Sequence, residues 1–388
     1  MPAPKPALLA AAAAAVAWML YSKKKKKRVV ITGCCGNLGR KLGAYLQERG
    51  VEVVGIEHPD YCAKGSEPPC DRVVQGDAQQ PGGVPWRRVL AGADAVVHFS
   101  AVNPYPNANW HESSMSMDHA FNVALATADA GVPRFILASS NHVMGGYKDD
   151  RRHGMVKPSD APRVGTALND PAAAQRAGDA VAYAAAKLAA ERLLAALAHV
   201  RPRTVFLALR VGWCQPGINS PRTIGASGVP PAFETAGAAA SVEEDSGDDA
   251  WFRGMWLSNG DFLRLFGAAA LSDSVPRSGF HCANAMSANT NARWSLDETE
   301  ALLGVRPRDD ARAAQRAADD KAESALQDEL VAAVTSKDVD DEARETSEGS
   351  KAAEARRKLE MEASQMEKRA AARAAEREAA QHRAAQAR

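Results

Sequence analysis

Residues 28–39 read RVVITGCCGNLG, a run of β-branched residues that passes directly into a glycine-rich loop. The segment that follows places three apolar side chains on one helical face: Leu42, Tyr45 and Leu46. Within the loop, Gly33 permits a tight turn, Gly36 lets the backbone approach a bound group, and Gly39 permits close packing of the helix. The order strand, glycine loop, helix predicts a dinucleotide-binding unit.

The same loop predicts a phosphate site, because the N-terminus of a helix directs backbone N–H groups at a bound anion. We include Asn37 and Leu38 in this site with the three glycines. The second predicted strand ends at Glu57, where a carboxylate can accept hydrogen bonds from ribose hydroxyls and repel a 2′-phosphate. NAD is therefore favoured over NADP. Two alternatives stay open: a solvated strand-end acid at Glu57, and a phosphate tolerated by His58.

Two more strand ends extend the predicted cofactor site. Asp77 follows a short apolar run at residues 73–74 and could accept a hydrogen bond from the adenine amino group. A turn-forming Gly-Asp pair is an equal alternative for Asp77. Ser100 closes the strand predicted at residues 95–100, at the carboxyl edge of the sheet where a dinucleotide lies.

From residue 29 to about residue 310, short β-branched runs alternate with alanine-rich helical stretches. This alternation is typical of βαβ units and predicts an α/β Rossmann fold with a doubly wound parallel sheet and a small C-terminal portion for the substrate. The predicted strands are residues 28–32, 52–57, 95–100, 134–139 and 204–210. Residues 148–179 and 217–249 interrupt the alternation and are predicted to be surface insertions.

Both ends of the chain lie outside this alternation. Residues 7–21 are almost wholly apolar and precede the basic run at residues 23–28. A helix there would span about 23 Å of a hydrocarbon core roughly 30 Å thick. Three possibilities stay open: a membrane anchor with the protein on the cytoplasmic face, a cleaved organelle-targeting peptide, and a cytoplasmic protein with neither. The charged residues 311–388 favour a solvated helix or disordered tail over a coiled coil.

The composition narrows the classes of partner. Lys and Arg number 48 and Asp and Glu number 47, so the net charge of +1 gives no indication of a nucleic-acid partner. A hydrophobic content of 46% in 388 residues can supply a substantial core. The six cysteines lack CxxC spacing, so we expect reduced thiols and no metal site.

Tyr183 and Lys187 are the candidate catalytic pair. They are four residues apart in YAAAK, so on a helix both side chains project from one face. An ammonium beside a phenol favours the phenolate and is expected to lower the phenol pKa from about 10. Tyr183 could then take a hydroxyl proton as a hydride leaves. An ordinary pair on the surface of a helix is the alternative.

Residues 135–145, FILASSNHVMG, add a serine-rich strand end to the glycine loop and the YxxxK pair. Together these features resemble extended short-chain dehydrogenases, the NAD-dependent epimerase/dehydratase family. Within it the chain looks most like the uronate dehydrogenase group, on segments 139–143, 210–212, 256–258 and 287–290 and on Trp294. The resemblance covers about residues 29–310 and excludes both ends and the two insertions.

The resemblance implies roles for individual residues. Ser140 would hydrogen-bond the reacting oxygen, Tyr183 would act as the base, and Lys187 would hold both Tyr183 and the nicotinamide ribose. Asn141 and His142 would contact the sugar, with capping and packing at a strand end as their alternative. Three further positions carry less certain matches: Asn103 stands where the uronate group has a serine, Trp213 replaces a small polar residue, and Arg253 is a candidate clamp for a substrate carboxylate.

These features predict an NAD-dependent oxidoreductase that oxidises a ring hydroxyl of a sugar or sugar acid. One alternative is a nucleotide-sugar epimerase or dehydratase that keeps its NAD and returns the hydride. Another is a non-catalytic NAD-binding scaffold, against which the Ser140, Tyr183 and Lys187 set argues. A homodimer is expected from the family resemblance.

Overall fold

The computed structural model describes residues 26–61, 67–78, 85–101, 110–148, 150, 152–165, 180–221, 224 and 251–335. Asn103, the apolar segment 7–21, most of the second insertion and the tail beyond residue 335 lie outside these ranges. The chain divides into two compact units, Met1–Arg312 and Ala313–Arg388. The first unit contains the sheet and the candidate site.

Seven parallel strands form one sheet, in the order β3-β2-β1-β4-β5-β6-β7. Their bounds are β1 Arg28–Thr32, β2 Glu52–Glu57, β3 Arg72–Gln75, β4 Ala95–His98, β5 Arg134–Ser140, β6 Val205–Val211 and β7 Phe280–Ala285. The order reverses direction between β1 and β4. Ligands of doubly wound sheets bind in the crevice at such a reversal, outside the carboxyl ends of the strands.

Seven helices have both of their ends within the described part of the chain. They are α1 Asn37–Glu48, α2 Pro85–Arg88, α3 Trp110–Asp129, α4 Ala180–Val200, α5 Asn259–Leu271, α6 Asp297–Leu303 and α7 Ala311–Thr335. Two 3₁₀ segments, Pro59–Tyr61 and Asn141–Tyr147, follow β2 and β5. None of the described helices combines the length and the apolar character needed to cross a bilayer.

The inner strands of the sheet are buried on both faces, as is typical of a parallel sheet, whereas the edge strand β3 is partly exposed. Val29 and Ile31 of β1 pack in an apolar layer with α1 and α5. Val30, which points to the opposite face, packs in a second layer with α3 and α4. The two layers hold the carboxyl ends of the strands in fixed positions beneath the candidate site.

The Rossmann fold predicted from the sequence is confirmed, with small differences at the strand ends. The strand predicted at residues 95–100 ends at His98, and the one predicted at 204–210 is shifted by one residue to Val205–Val211. Strand β7, which the sequence analysis did not predict, reads FHCANA. Its sequence has no β-branched residue, so its extended form depends on pairing with β6.

The described part of the insertion predicted at residues 148–179 is mostly exposed or half-buried, but it is anchored in the core at Val156. Val156 is fully buried and pairs with Trp294 in an isolated bridge. Both belong to a third apolar cluster that also contains Val143 and Met144 of the 3₁₀ segment after β5. The segment therefore supports the turn that carries Asn141 and His142.

Candidate active site

The glycine loop between β1 and α1 leaves no space for side chains at two positions. Gly33 has φ +70°, and a Cβ there would lie 2.8 Å from the backbone nitrogen of Ser100. A Cβ on Gly39 would overlap the carbonyl oxygen of Gly33 and lie 2.7 Å from the Cα of Cys34. The loop, the start of α1 and the end of β4 therefore pack backbone against backbone.

A cavity of about 480 Å³ opens above this loop, and we call it the glycine-loop cavity. Eight residues predicted from the sequence to bind the cofactor line it together: Gly33, Gly36, Asn37, Leu38, Gly39, Glu57, Asp77 and Ser100. They come from the ends of β1, β2, β3 and β4. The topology thus brings together residues that are distant in sequence: Gly33 and Ser100 are 67 positions apart.

Glu57 is 7% exposed, and its carboxylate is held by two backbone N–H groups. Its Oε2 accepts from Cys35 at 2.9 Å, and its Oε1 accepts from His58 at 3.0 Å. Each carboxylate oxygen has a second lone pair, so Glu57 can also accept hydrogen bonds from a ligand. The Asn37 side chain donates to the carbonyl of Cys214 at 3.0 Å, which leaves the backbone of Asn37 as its contribution to the cavity.

His119 of α3 also lines this cavity, and the sequence analysis missed it. Both its ring nitrogens are buried and have no hydrogen-bond partner among the described residues. Burial lowers the pKa of His119, which the nearby Asp77 and Asp118 oppose. No motif marks this histidine, because its position depends on how α3 packs against the sheet.

A second cavity of about 300 Å³ adjoins the first, and we call it the Tyr183 cavity. Leu38, Phe99 and Ala101 line both cavities. Five residues predicted from the sequence line the second: Ser140, Asn141, His142, Tyr183 and Lys187. A dinucleotide in the first cavity could therefore reach the second, where the catalytic candidates lie.

Ser140, Tyr183 and Lys187 form a connected set. The phenol of Tyr183 hydrogen-bonds the side chain of Ser140, and Lys187 Nζ lies 5.7 Å from the centre of the Tyr183 ring. Lys187 Nζ also donates to the carbonyl of Ala138 at 2.8 Å. Burial lowers the pKa of Lys187 to about 8, which the charge of Glu191 opposes.

The expected fall in the pKa of Tyr183 is not what the structure shows. Removal of the phenol from bulk water raises the pKa of Tyr183, and the hydrogen bond from Ser140 offsets only part of this rise. Lys187 sits over the ring rather than against the hydroxyl, and its ammonium is partly engaged by Ala138. The protein residues alone therefore keep the phenol protonated.

Asn141 and His142 occupy the wall of the Tyr183 cavity. The amide nitrogen of Asn141 donates to the carbonyl of Val211 at 3.0 Å, while its Oδ1 is buried with no partner among the described residues. The His142 ring meets the rings of Tyr183 and Trp213 edge to face, at 5.9 and 5.7 Å. Burial lowers the pKa of His142 to about 4, so its imidazole is neutral near pH 7.

Arg253, the predicted carboxylate clamp, is not among the described residues that line either cavity. Its backbone is helical, like that of Trp251 and Phe252. Its neighbour Met255 contributes instead, since its carbonyl accepts from the backbone N–H of Trp213 at 2.7 Å.

The residues that line the glycine-loop cavity fit a dinucleotide. The crowded glycines present backbone rather than side chains, as a bound pyrophosphate requires. Glu57 and the unpartnered nitrogens of His119 supply polar groups for the rest of the ligand. A doubly wound sheet with this cavity and an adjacent Ser–Tyr–Lys set defines an NAD-dependent oxidoreductase of the short-chain dehydrogenase class.

Comparison with known proteins specifies this class further. Residues 29–211 match the family described as NAD dependent epimerase/dehydratase, so the chain carries a domain of that family. The predictions of the family, of an enzyme and of NAD as the cofactor are confirmed.

Three similar proteins illustrate the family. An L-arabinose 1-dehydrogenase (NAD(P)(+)) from Haloferax volcanii is 29% identical over 72% of this chain and 96% of its own length. An NAD-dependent glucose-6-phosphate dehydrogenase from the same organism is 26% identical over 58% of this chain and 72% of its own. The solved uronate dehydrogenase from Agrobacterium tumefaciens is 22% identical, with a TM-score of 0.53 over 75% of this chain and 88% of its own. The last likeness concerns the fold.

Proposed function

We propose that the protein oxidises a ring hydroxyl of a sugar or sugar acid and passes the hydride to NAD. The observation that carries this proposal is the convergence of Ser140, Tyr183 and Lys187 in a cavity continuous with the glycine-loop cavity. The product would be a lactone or a keto sugar. Three relatives whose names state sugar substrates support this substrate class.

Each residue of the set has a task in this reaction. Ser140, which already contacts the phenol, donates a hydrogen bond to the substrate oxygen and places it beside Tyr183. Tyr183 takes the hydroxyl proton as the bond to the hydride breaks. Lys187 provides the positive charge that favours the phenolate in that step. NAD, when bound, supplies the hydride acceptor and a cationic ring.

The cationic ring matters because of the raised pKa of Tyr183. Burial disfavours the phenolate of Tyr183, so positive charge near the phenol would favour its action as a base.

A nucleotide-sugar epimerase or dehydratase is the second candidate. It uses the same residues but returns the hydride to the sugar, and the family description names both reactions. The two candidates differ in whether NADH accumulates. A non-catalytic scaffold is a weaker candidate, since it would have no use for the connected Ser140, Tyr183 and Lys187 set.

The test is the absorbance of NADH formed by the purified full chain with NAD and a panel of aldoses, uronic acids and nucleotide sugars. We expect turnover on an aldose or uronic acid, and its loss in Tyr183→Phe with NAD affinity unchanged. Full turnover in Tyr183→Phe would contradict the mechanism. NAD binding without net NADH, but with conversion of a nucleotide sugar, would favour the second candidate.

Two further predictions concern association. We propose a homodimer, which light scattering of the purified protein would test. We also propose that residues 7–28 attach the chain to a membrane, which co-sedimentation of the full chain with vesicles containing anionic lipid would test. A monomer, or a chain that stays in the supernatant, would contradict the respective prediction.

A further inference from the structure

Two cysteine side chains meet beneath the glycine loop. Cys34 and Cys70 are thiols, and their side chains hydrogen-bond each other. Both lie over Gly55 of β2: a Cβ there would be 2.5 Å from the sulfur of Cys34 and 3.1 Å from that of Cys70. The missing side chain of Gly55 therefore creates the space in which the two sulfurs are neighbours.

The pair links two segments that pack against α1. Cys34 directly follows Gly33 and is fully buried, and its backbone lies against Gly39 at the start of the helix. Cys70 is partly exposed and lies just before the edge strand β3. Its neighbour Pro69 packs on the next turn of α1, where a Cβ on Gly43 would lie 2.5 Å from the Pro69 carbonyl oxygen.

We propose that Cys34 and Cys70 form a redox-sensitive pair, and that their oxidation to a disulfide weakens dinucleotide binding at the glycine loop. The first half concerns only the two thiols and the space over Gly55. The second half rests on the proposed function, because it assigns the dinucleotide to the glycine-loop cavity.

The oxidant that the chemistry requires is a hydroperoxide. The partly exposed Cys70 is reached first: its thiolate attacks the peroxide oxygen, the O–O bond breaks, and a sulfenic acid and an alcohol or water form. The sulfur of Cys34 then attacks the sulfur of Cys70, and the Cys34 proton passes to the departing hydroxyl, which leaves as water. Two thiols and one hydroperoxide thus yield one disulfide, one alcohol or water, and one water.

The environment of Cys34 explains why Cys70 is oxidised first. The hydrogen bond with Cys70, followed by burial, raises the pKa of the Cys34 thiol. Cys34 is therefore protonated and shielded, so it does not compete with Cys70 for the oxidant. It reacts only with the sulfur already beside it.

Cys35 is a poorer partner for Cys34. Consecutive Cα atoms are about 3.8 Å apart across a trans peptide, whereas disulfides join Cα atoms usually about 4.4–6.8 Å apart. Cys35 also lines the glycine-loop cavity, and its backbone N–H donates to Glu57. The sulfurs of Cys34 and Cys35 and a Glu57 oxygen lie within 4.8 Å of one another, close enough to bind a metal ion together. The experiment below therefore includes a chelator, so that a bound metal ion does not block oxidation.

Closure of the disulfide would disturb the loop because the sulfurs must approach to about 2.05 Å. Cys34 lies between Gly33, whose carbonyl touches α1, and Cys35, whose N–H holds Glu57. A shift of Cys34 therefore moves the backbone that faces the pyrophosphate and loosens the carboxylate that faces the ribose. Both changes lower the affinity for the cofactor.

The experiment treats the full chain, in EDTA, with hydrogen peroxide or with a dithiol reductant. Disulfides are located by mass spectrometry of unreduced peptides, and NAD affinity is measured by calorimetry. We expect one Cys34–Cys70 disulfide, a rise in the Kd for NAD of about tenfold, and recovery of both after reduction. Cys70→Ser, which keeps a hydrogen-bonding group, should lose both responses, and Cys282→Ser should keep both.

The proposed redox pair would be contradicted if Cys34 or Cys70 formed a disulfide with another cysteine. It would also be contradicted if Cys70 were oxidised and no disulfide formed. An unchanged Kd in protein that carries the Cys34–Cys70 disulfide would overturn the regulatory half. Reduced wild-type protein that fails to bind NAD would instead contradict the proposed function. The peptide masses would still show whether the Cys34–Cys70 disulfide forms.

Discussion

The carboxylate of Glu191 accepts hydrogen bonds from the guanidinium of Arg210 at 3.0 and 2.8 Å, and both side chains are 3% exposed. Glu191 also accepts from Ser139 at 2.6 Å. It lies four residues after Lys187 and eight after Tyr183, so all three share one face of α4. The ion pair thus fixes a negative charge next to the catalytic lysine.

Glu191 is predicted to position the charge on Lys187. Its carboxylate raises the pKa of Lys187, which burial lowers to about 8. If catalysis requires the charged form of Lys187, kcat/KM for the sugar should fall as pH rises through the pKa of Lys187. In Glu191→Gln this alkaline limb should move to lower pH by about one unit. The measurement is a pH–rate profile of both proteins.

A change in stability must be separated from this effect. Glu191→Gln leaves the Arg210 charge buried without its partner, which typically costs about 3–5 kcal/mol of unfolding free energy. Arg210→Lys is the control, because it keeps both charges and loses the two-pronged geometry. It should be less stable but retain the wild-type alkaline limb. Equal profiles for Glu191→Gln and wild type would contradict the positioning role.

Gly39→Ala should abolish cofactor binding through steric overlap. The new Cβ would collide with the carbonyl oxygen of Gly33, a backbone atom that cannot rotate away. Gly131→Ala is the matched control, since Gly131 has φ +70° but open space around its Cβ position. It should cost about 1 kcal/mol of stability and leave the Kd for NAD unchanged. Calorimetry with NAD distinguishes the two, and tight binding by Gly39→Ala would refute the loop assignment.

Glu57→Gln should weaken the preference for NAD over NADP. The carboxylate is held by two backbone N–H groups, so its charge stays where a 2′-phosphate would approach. Gln has a similar shape without the charge, and the ratio of kcat/KM for the two cofactors should fall by about tenfold or more. Asp60→Asn, at a second acid lining the same cavity, serves as a comparison. An unchanged ratio in Glu57→Gln would mean that the carboxylate faces another part of the ligand.

Trp213→Ala should alter substrate use more than folding. The indole forms a wall of the Tyr183 cavity against His142, and its removal opens space beside the sugar site. We expect KM for the best sugar to rise by about tenfold, while the Kd for NAD stays the same. Trp251→Phe, in the apolar cluster outside that cavity, should lower the melting temperature without this change in KM. Unaltered KM values across the sugar panel for Trp213→Ala would remove Trp213 from the substrate site.

His142 should make the protein sensitive to acid. Burial holds the pKa of His142 near 4 in the folded protein, against 6.5 as its ordinary value. As pH falls from 6.5 towards 4, the unfolded chain binds a proton that the folded chain refuses, so folding stability is lost. The full loss is about 3 kcal/mol by pH 4. Urea titrations at pH 7 and 4.5 should show a smaller loss in His142→Gln, and an equal loss would contradict this origin.

The local sequence determined the class of fold and most of the candidate site. The glycine loop, the YxxxK pair and the serine-rich strand end are each set by neighbouring residues, because turn geometry and helical periodicity act over a few positions. That is why Gly33, Ser140 and Tyr183 could be predicted as candidate site residues from short stretches of sequence. Strand β7 could not, since its extended form depends on pairing with β6.

Only the tertiary structure decided what surrounds these motifs. It placed His119 in the glycine-loop cavity, placed His142 against Trp213, and brought Cys70 to Cys34. It also reversed the expected shift in the pKa of Tyr183. Motifs record short-range geometry, whereas burial and charge at a site are sums over side chains distant in sequence. The chemistry was therefore predictable from neighbouring residues, and its electrostatic setting only from the packed fold.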